Sequence, residues 1–343
     1  MHSPLEASGS APKRDVDVLF EMVQGFRITQ CLYVVAKLSV PDLLLTGPKD
    51  AHFLAGKVGV HPRSLFRVMR ALASKGVFTQ DSNDRFGLTP LSKLLCTNDP
   101  ASSRFVTIMS GEEAYKATGE LLHTVKTGET AFNYLYREGH FEFLSGHPEA
   151  SETFNKAMAE GVRNLANPLE SYDYTGRHLV VDVGGGRGDM IATILNANPS
   201  LKGVLFDLPQ ALTETPKLLR DKNVSDRCDL VRGSFFDAVP PSGDVYTLSR
   251  VLHDWPDDKA KIILGNCRKA IRKDGTLLIR EAVIPEGDTP SRGKLIDLTM
   301  LITLGGAERT EKEWTRLLHE SGFALKQIRR SGGAFDLIEA TPS

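Results

Sequence analysis

Apolar residues along the chain follow a helical period first and a strand period later. From 15 to 38 they recur as Val18, Leu19, Met22, Val23 and Phe26, then Cys31, Leu32 and Val35, which predicts a helix. Pro41 ends it, and a short helical turn is expected at 42–45. The first helix is apolar on more than one stripe and therefore needs burial on two sides. A second copy of the chain would supply the second side. Residues 51–58 and 62–75 read as short helices joined by Gly59-Val60-His61, with Pro62 in a first turn where proline is tolerated. Gly76 closes the second helix, and runs at 77–79 and 85–89 flank the polar turn 81–84 as a hairpin. This order has the texture of a winged helix-turn-helix, expected here as a structural or dimerisation module. Residues 101–166 read as helices and loops rich in aromatics, and residues 1–14, small, polar and Pro-containing, as a disordered tail.

Beyond 178 strand and helix alternate. An apolar run at 179–183 leads into glycines 184, 185, 186 and 188 and then a periodic segment from Met190. That is a strand, a tight loop and a helix, the layout of a nucleotide-binding unit. A side chain in such a loop would hold the backbone away from a ligand. Further strands are expected at 203–206, 228–232, 244–249 and 276–279, with helices from near Pro209 and at 258–271. The alternation predicts an α/β fold, a doubly wound parallel sheet. The end differs: 323–330 and 334–340 read as two strands joined across Gly332-Gly333, an antiparallel hairpin on the sheet edge.

At 343 residues there is room for two domains. The expected division is a dimerisation and winged-helix domain at 15–100, a helical linker at 101–170 that contributes to a pocket, and a nucleotide-binding domain at 171–343. A composition with 41% hydrophobic and 25% charged residues is ordinary for a globular protein. The formal net charge of -1 lacks the basic footprint that nucleic acid or an anionic membrane demands, although Arg63, Arg67 and Arg70 stand on the second short helix. A DNA-binding regulator is thus the disfavoured rival. The four cysteines form no C-x-x-C pair, which argues for reduced thiols and against a zinc site. With no apolar signal segment or membrane-length run, a cytoplasmic setting is expected.

The chemistry-bearing positions cluster at the ends of the predicted strands. Asp207 closes the second strand, where a carboxylate can accept the ribose hydroxyls of an adenosine. The fourth strand runs into SRVLHDWPDD (249–258), which places His253 beside a bound nucleotide. Glu281 closes the fifth strand, and Glu308 lies in GGAERT, just before a helix that Thr310 and Glu313 can start as a capping box. A histidine flanked by carboxylates is the arrangement of a general base, one carboxylate fixing the tautomer so that the other ring nitrogen accepts a proton. No carboxylate cluster with magnesium-site spacing is visible near His253, and the reading calls for no metal. Phe154, Asn155 and Met158, on the helix before the nucleotide domain, and Asp254 are candidates for a substrate pocket. His123, His140 and His147 are isolated and read as satisfied or surface histidines.

Taken together, VVDVGGGRGDM (180–190), FDLP (206–209), GSFFDAVP (233–240), LSRVLHDWPDD (248–258), REAVIP (280–285) and GGAERTEKEW (305–314) resemble the small-molecule O-methyltransferases of the caffeic acid and acetylserotonin type and their relatives in polyketide tailoring. The resemblance covers nearly the whole chain. It implies a homodimer that uses S-adenosylmethionine, with five parallel units and a terminal hairpin, acting on an aromatic hydroxyl of a small molecule. It further implies His253 as catalytic base with Glu281 and Glu308 flanking it, and Gly184, Gly186, Asp207, Ser234, Phe235, Ser249 and Arg250 as methyl-donor contacts. Many members have Asp where Ser234 stands and Lys where Ser249 stands. Two rivals stay within the fold: N-methylation of a heterocycle, and a member turned to non-methylating tailoring.

Overall fold

Strand β1 (Leu179–Val183) is buried from Val180 onward, as its unbroken apolar run requires of a strand covered on both faces. A computed structural model describes residues 14–164 and 167–343; apart from Arg14, the expected disordered tail lies outside the described residues. After β1 the chain forms β2 (Lys202–Asp207), β3 (Cys228–Arg232), β4 (Val245–Ser249), β5 (Thr276–Glu281), β6 (Phe323–Arg329) and β7 (Asp336–Pro342), one sheet of seven strands ordered β6-β7-β5-β4-β1-β2-β3. The five strands from β1 to β5 pair in parallel, while β7 is antiparallel to both β5 and β6. The doubly wound sheet and its hairpin stand as the alternating pattern predicts, with β7 inserted between β5 and β6. Order reverses between β4 and β1, and the carboxyl ends of strands at such a reversal open a crevice.

Helices α1 (Pro148–Asn164), α2 (Asp189–Ala197), α3 (Thr215–Asp221), α4 (Asp257–Ala270), α5 (Arg292–Thr303) and α6 (Glu311–Glu320) belong to the same compact unit, Glu112–Ser343. On one face of the sheet Val181, Val183, Leu248 and Ile279 pack against Ile263 and Leu264 of α4 and Trp314 and Leu317 of α6. On the other, Val180, Val245, Leu278 and Leu337 pack against Met190, Ile191 and Ile194 of α2. Successive side chains thus reach opposite cores. The helix expected from near Pro209 begins only at Thr215, because Leu208 N is taken by the Asp207 carboxylate and Pro216 sets a first turn, where its missing N–H costs nothing.

The first unit ends at Gly111. The single helix expected at 15–38 is two, Asp15–Val23 and Gly25–Lys37, split where Gly25, a poor helix former, follows Gln24. Pro41 does not follow a helix end; it occupies the first turn of a new one, Val40–Leu43. Helices Ala51–Val58 and Pro62–Ala73 precede an antiparallel hairpin of Phe78–Gln80 and Arg85–Leu88. Val35, Leu54, Met69, Leu72, Phe78 and Phe86 share one core. Arg63 and Arg70 lie over the Phe66 ring, at 5.3 and 5.5 Å from its centroid. Helix Asp15–Val23 buries no residue of its own, and Leu19, Phe20, Met22 and Val23 are all at least 60% exposed. Among the described residues no helix is long and apolar enough to cross a membrane.

Candidate active site

The loop from β1 to α2 is shaped by glycine. Gly184 and Gly186 have φ of 69° and 58°, a region L side chains avoid. A Cβ at Gly184 would stand 2.9 Å from Val251 and 3.4 Å from Phe235, whereas one at Gly186 would project into open space. A side chain at Gly186 would therefore project from the open face of the loop. Asp207 braces this loop: its Oδ2 accepts from Gly186 N at 2.8 Å and its Oδ1 from Leu208 N at 2.6 Å. Burial pushes its pKa up, against the pull of those two N–H groups. Each oxygen keeps a lone pair, so the carboxylate holds the loop and still offers an acceptor to a hydroxyl. Asp182, not singled out in the sequence, lies beneath. It accepts from Thr247 Oγ1 at 2.7 Å, its Oδ2 is buried without a partner, and burial pushes it up to about 6. Ser234 Oγ caps its own turn, accepting from Phe236 N at 3.2 Å.

At the end of β4 the chain turns sharply. Arg250 has φ of 58°, and a single helical turn, Leu252–Asp254, then carries His253. His253, Glu281 and Glu308, from three separate stretches, meet there with all three side chains buried. His253 Nδ1 is 2.6 Å from Glu308 Oε1 and 3.3 Å from Glu281 Oε2. Glu281 Oε1 accepts from Val251 N and Leu252 N, both at 2.9 Å, and so fixes the turn that presents the ring. On the opposite edge His253 Nε2 lies 3.3 Å from Asp254 Oδ1. A ring that donates Nδ1–H to Glu308 has its lone pair on Nε2. Burial pushes Glu308 up to about 8 and Asp254 up to about 7. Asp254, expected as a pocket residue, is thus the immediate neighbour of Nε2.

Contrary to the sequence reading, carboxylates do gather at metal-site spacing, the donor atoms of His253, Glu281 and Glu308 lying within 4.8 Å of one another. The Nδ1–Glu308 hydrogen bond and the backbone bonds to Glu281 account for that proximity. Glu308 is itself held. Its N donates to Asp297 Oδ1 of α5 at 2.8 Å, and next to it buried Arg309 donates to Leu252 O, Trp255 O and Asp257. A Cβ at Gly306 would come within 2.0 Å of His253 O, so this loop packs flush on the histidine turn. The capping box expected of Thr310 and Glu313 is present.

Phe154 of α1 meets His140 edge-on at 5.5 Å, and Phe141 stacks on Trp255 at 6.0 Å. Aromatic side chains thereby extend to within two residues of His253. Met158 is half-buried one turn on from Phe154, but Asn155 is exposed on another face of α1 and is not drawn into this cluster. His123 and His147 are satisfied by Glu129 and Phe143 O. His140 is not: its Nδ1 is buried without a partner, and burial pushes its pKa down to about 4.

The O-methyltransferase domain family matches residues 119–324, and the O-methyltransferase dimerisation domain matches 20–98. The chain is 43% identical to a phenazine O-methyltransferase of Lysobacter antibioticus, over 95% of this chain and 96% of that one. It is 36% identical to an 8-amino-8-demethylriboflavin N,N-dimethyltransferase of Streptomyces davaonensis, over 94% of each. The crystal structure of LaPhzM superposes with a TM-score of 0.90 at 42% identity, covering 96% of this chain and 99% of that one. Solved relatives hold S-adenosylmethionine or S-adenosylhomocysteine, and the open face of the loop at Gly186 with the Asp207 acceptor fits such a ligand. The chain therefore belongs to the O-methyltransferase family, as an S-adenosylmethionine-dependent methyltransferase of secondary-metabolite pathways.

Proposed function

We propose that the protein methylates an aromatic hydroxyl of a planar, fused-ring metabolite of the hydroxyphenazine class, with His253 as general base. The observation that carries this reading is the 2.6 Å bond between His253 Nδ1 and Glu308, which puts the ring's lone pair on Nε2. A phenol, with a pKa near ~10, is mostly protonated at neutral pH and attacks poorly. Nε2 takes its proton as the oxygen–carbon bond forms, and Glu308, accepting at Nδ1, keeps the ring in the tautomer that can do so. S-adenosylmethionine supplies an electrophilic methyl group on a positively charged sulfur. Gly184, Gly186 and Asp207 hold the donor, with Phe235 against the loop and Ser234 and Ser249 at the strand ends beside it. Phe154, Met158 and Trp255 give the acceptor an aromatic wall. The phenazine class is suggested by the relative at 43% identity.

Transfer to nitrogen is the second reading, favoured by the riboflavin-derived relative. The two differ in their need for a base. A ring nitrogen offers its lone pair without losing a proton, whereas a phenol does not. His253→Ala is expected to lower turnover on hydroxyphenazines by roughly 10²–10⁴-fold while calorimetric affinity for S-adenosylhomocysteine stays unchanged. Unimpaired turnover in that variant, or a product methylated on nitrogen by NMR, would overturn the proposal. The exposed apolar helix Asp15–Val23 and the dimerisation-domain match support a homodimer as the working form.

A further inference from the structure

Between β3 and β4 the chain passes back over β2 and β1, from 233 to 244, without a helix or a strand. A crossover of this kind is usually helical, so something else must hold the segment. Its N–H groups are met within a turn: Asp237 N and Ala238 N donate to Ser234 O at 3.0 and 3.2 Å, and Phe236 N to Ser234 Oγ. The carbonyls of Phe235 and Phe236 are met from outside. Asn266 of α4, only 7% exposed, donates to both from Nδ2 at 3.0 Å. A primary amide has two N–H donors, and here both go to one dipeptide. Its Oδ1 accepts from Lys269 Nζ at 3.2 Å, so the side chain is satisfied at both ends. Neighbours Ile263, Leu264 and Cys267 on the same helix are buried, and among them a polar side chain is costly unless its hydrogen bonds are made.

The dipeptide so held carries two rings. Phe235 is half-buried, and its edge stands 3.4 Å from a Cβ built on Gly184. It meets Phe236 edge-on at 4.9 Å, and Phe236 meets Trp255 edge-on at 4.8 Å. We propose that Asn266 is a positioning residue for the methyl donor: it pins Phe235 beside the glycine loop, so that a flat ring face is in place before S-adenosylmethionine arrives. A side chain ordered in advance adds affinity, because binding then has no ordering of that group to offset. An aromatic face serves a nucleobase by stacking, which depends on where the ring lies. An apolar residue at 266 would suit the core of α4 equally well, but would leave the carbonyls of Phe235 and Phe236 without these donors.

The inference rests on Phe235 as a donor contact, the reading given above, and binding alone tests it, so that no acceptor is needed. Calorimetry with S-adenosylhomocysteine is expected to show Asn266→Ala weakened at least about 10-fold. Asn266→Asp has the shape of the native side chain and no N–H to give, so it should match the alanine variant and reports even where truncation unfolds the chain. Asn266→Gln keeps both N–H groups and should restore part of the affinity. Phe235→Ala should weaken binding by a similar factor, and adding Asn266→Ala to it should change little further, since one residue acts through the other. Wild-type affinity in the Asn266 variants, with Phe235→Ala impaired, overturns the proposal and leaves the Phe235 contact standing. Wild-type affinity in Phe235→Ala removes that contact and the proposal with it. Additive losses in the double variant also overturn it, because Asn266 would then act by a general loosening and not through the ring.

Discussion

Glu308 and Asp254 are carboxyl groups that burial keeps protonated up to about 8 and about 7, against about 4 in an unfolded chain. Between those limits the native state retains protons that the unfolded chain has released. Their contribution is complete below about pH 4 and is lost as pH rises through the native values, so stability falls from mild acid towards pH 8. One such group imposes a slope of up to about 1.4 kcal/mol per pH unit. Glu308→Gln keeps the shape and removes the titration, so urea denaturation at pH 5 and pH 8 should give a smaller difference for the variant than for the wild type. An unchanged difference would mean that Glu308 does not carry it. Asp297 acts one step further out, holding Glu308 by its backbone. Asp297→Ala is expected to lower kcat by about 10-fold and displace the pH–rate profile, with donor affinity preserved; a flat profile shift would leave Asp297 merely structural. His253, Glu281 and Glu308 were legible in the sequence because each stands at a strand end or in a loop beside a glycine, where side chains face a crevice. Asp297 was not, because a carboxylate on a helix looks like any solvated residue until the loop it anchors is in view.

Among the elements, the loop between α5 and α6 is the one on which the histidine turn depends. Gly306 lets that loop close on His253 O, and Arg309 ties it to the carbonyls of the turn. Gly306→Ala is expected to push the two apart, costing about 1–3 kcal/mol and lowering turnover at least about 10-fold. Denaturant midpoint and single-turnover rate measure the two effects separately, and wild-type values for both would refute the flush packing. The strands were readable to within a residue or two, because a buried parallel strand requires an unbroken apolar run. The break between Gln24 and Gly25 was not, since apolar periodicity continues across it, and the start of α3 was lost to a side-chain bond that Asp207 makes with its own neighbour.

For the molecule as a whole, the exposed apolar helix Asp15–Val23 predicts association. Leu19→Glu with Met22→Glu is expected to halve the mass seen by light scattering at micromolar concentration, while the far-UV spectrum is retained. A wild-type protein already of monomeric mass would dispose of the homodimer. The chain divides at Gly111, whereas the hydrophobic period changes only near 178, so the helices after 112 could not be allotted to the second unit from the pattern.

The place of β7 has a consequence for how the protein is made. It lies between β5 and β6, and pairs Asp336 with Glu281, yet the ribosome delivers it after every other strand. Throughout synthesis of the intervening residues, Leu277 to Ile279 of β5 line an open edge, the kind of surface on which nascent chains stick to one another. Slowing translation between β5 and β7 should therefore lower soluble yield, and Glu281 gains its final neighbours only once the last strand has been laid in.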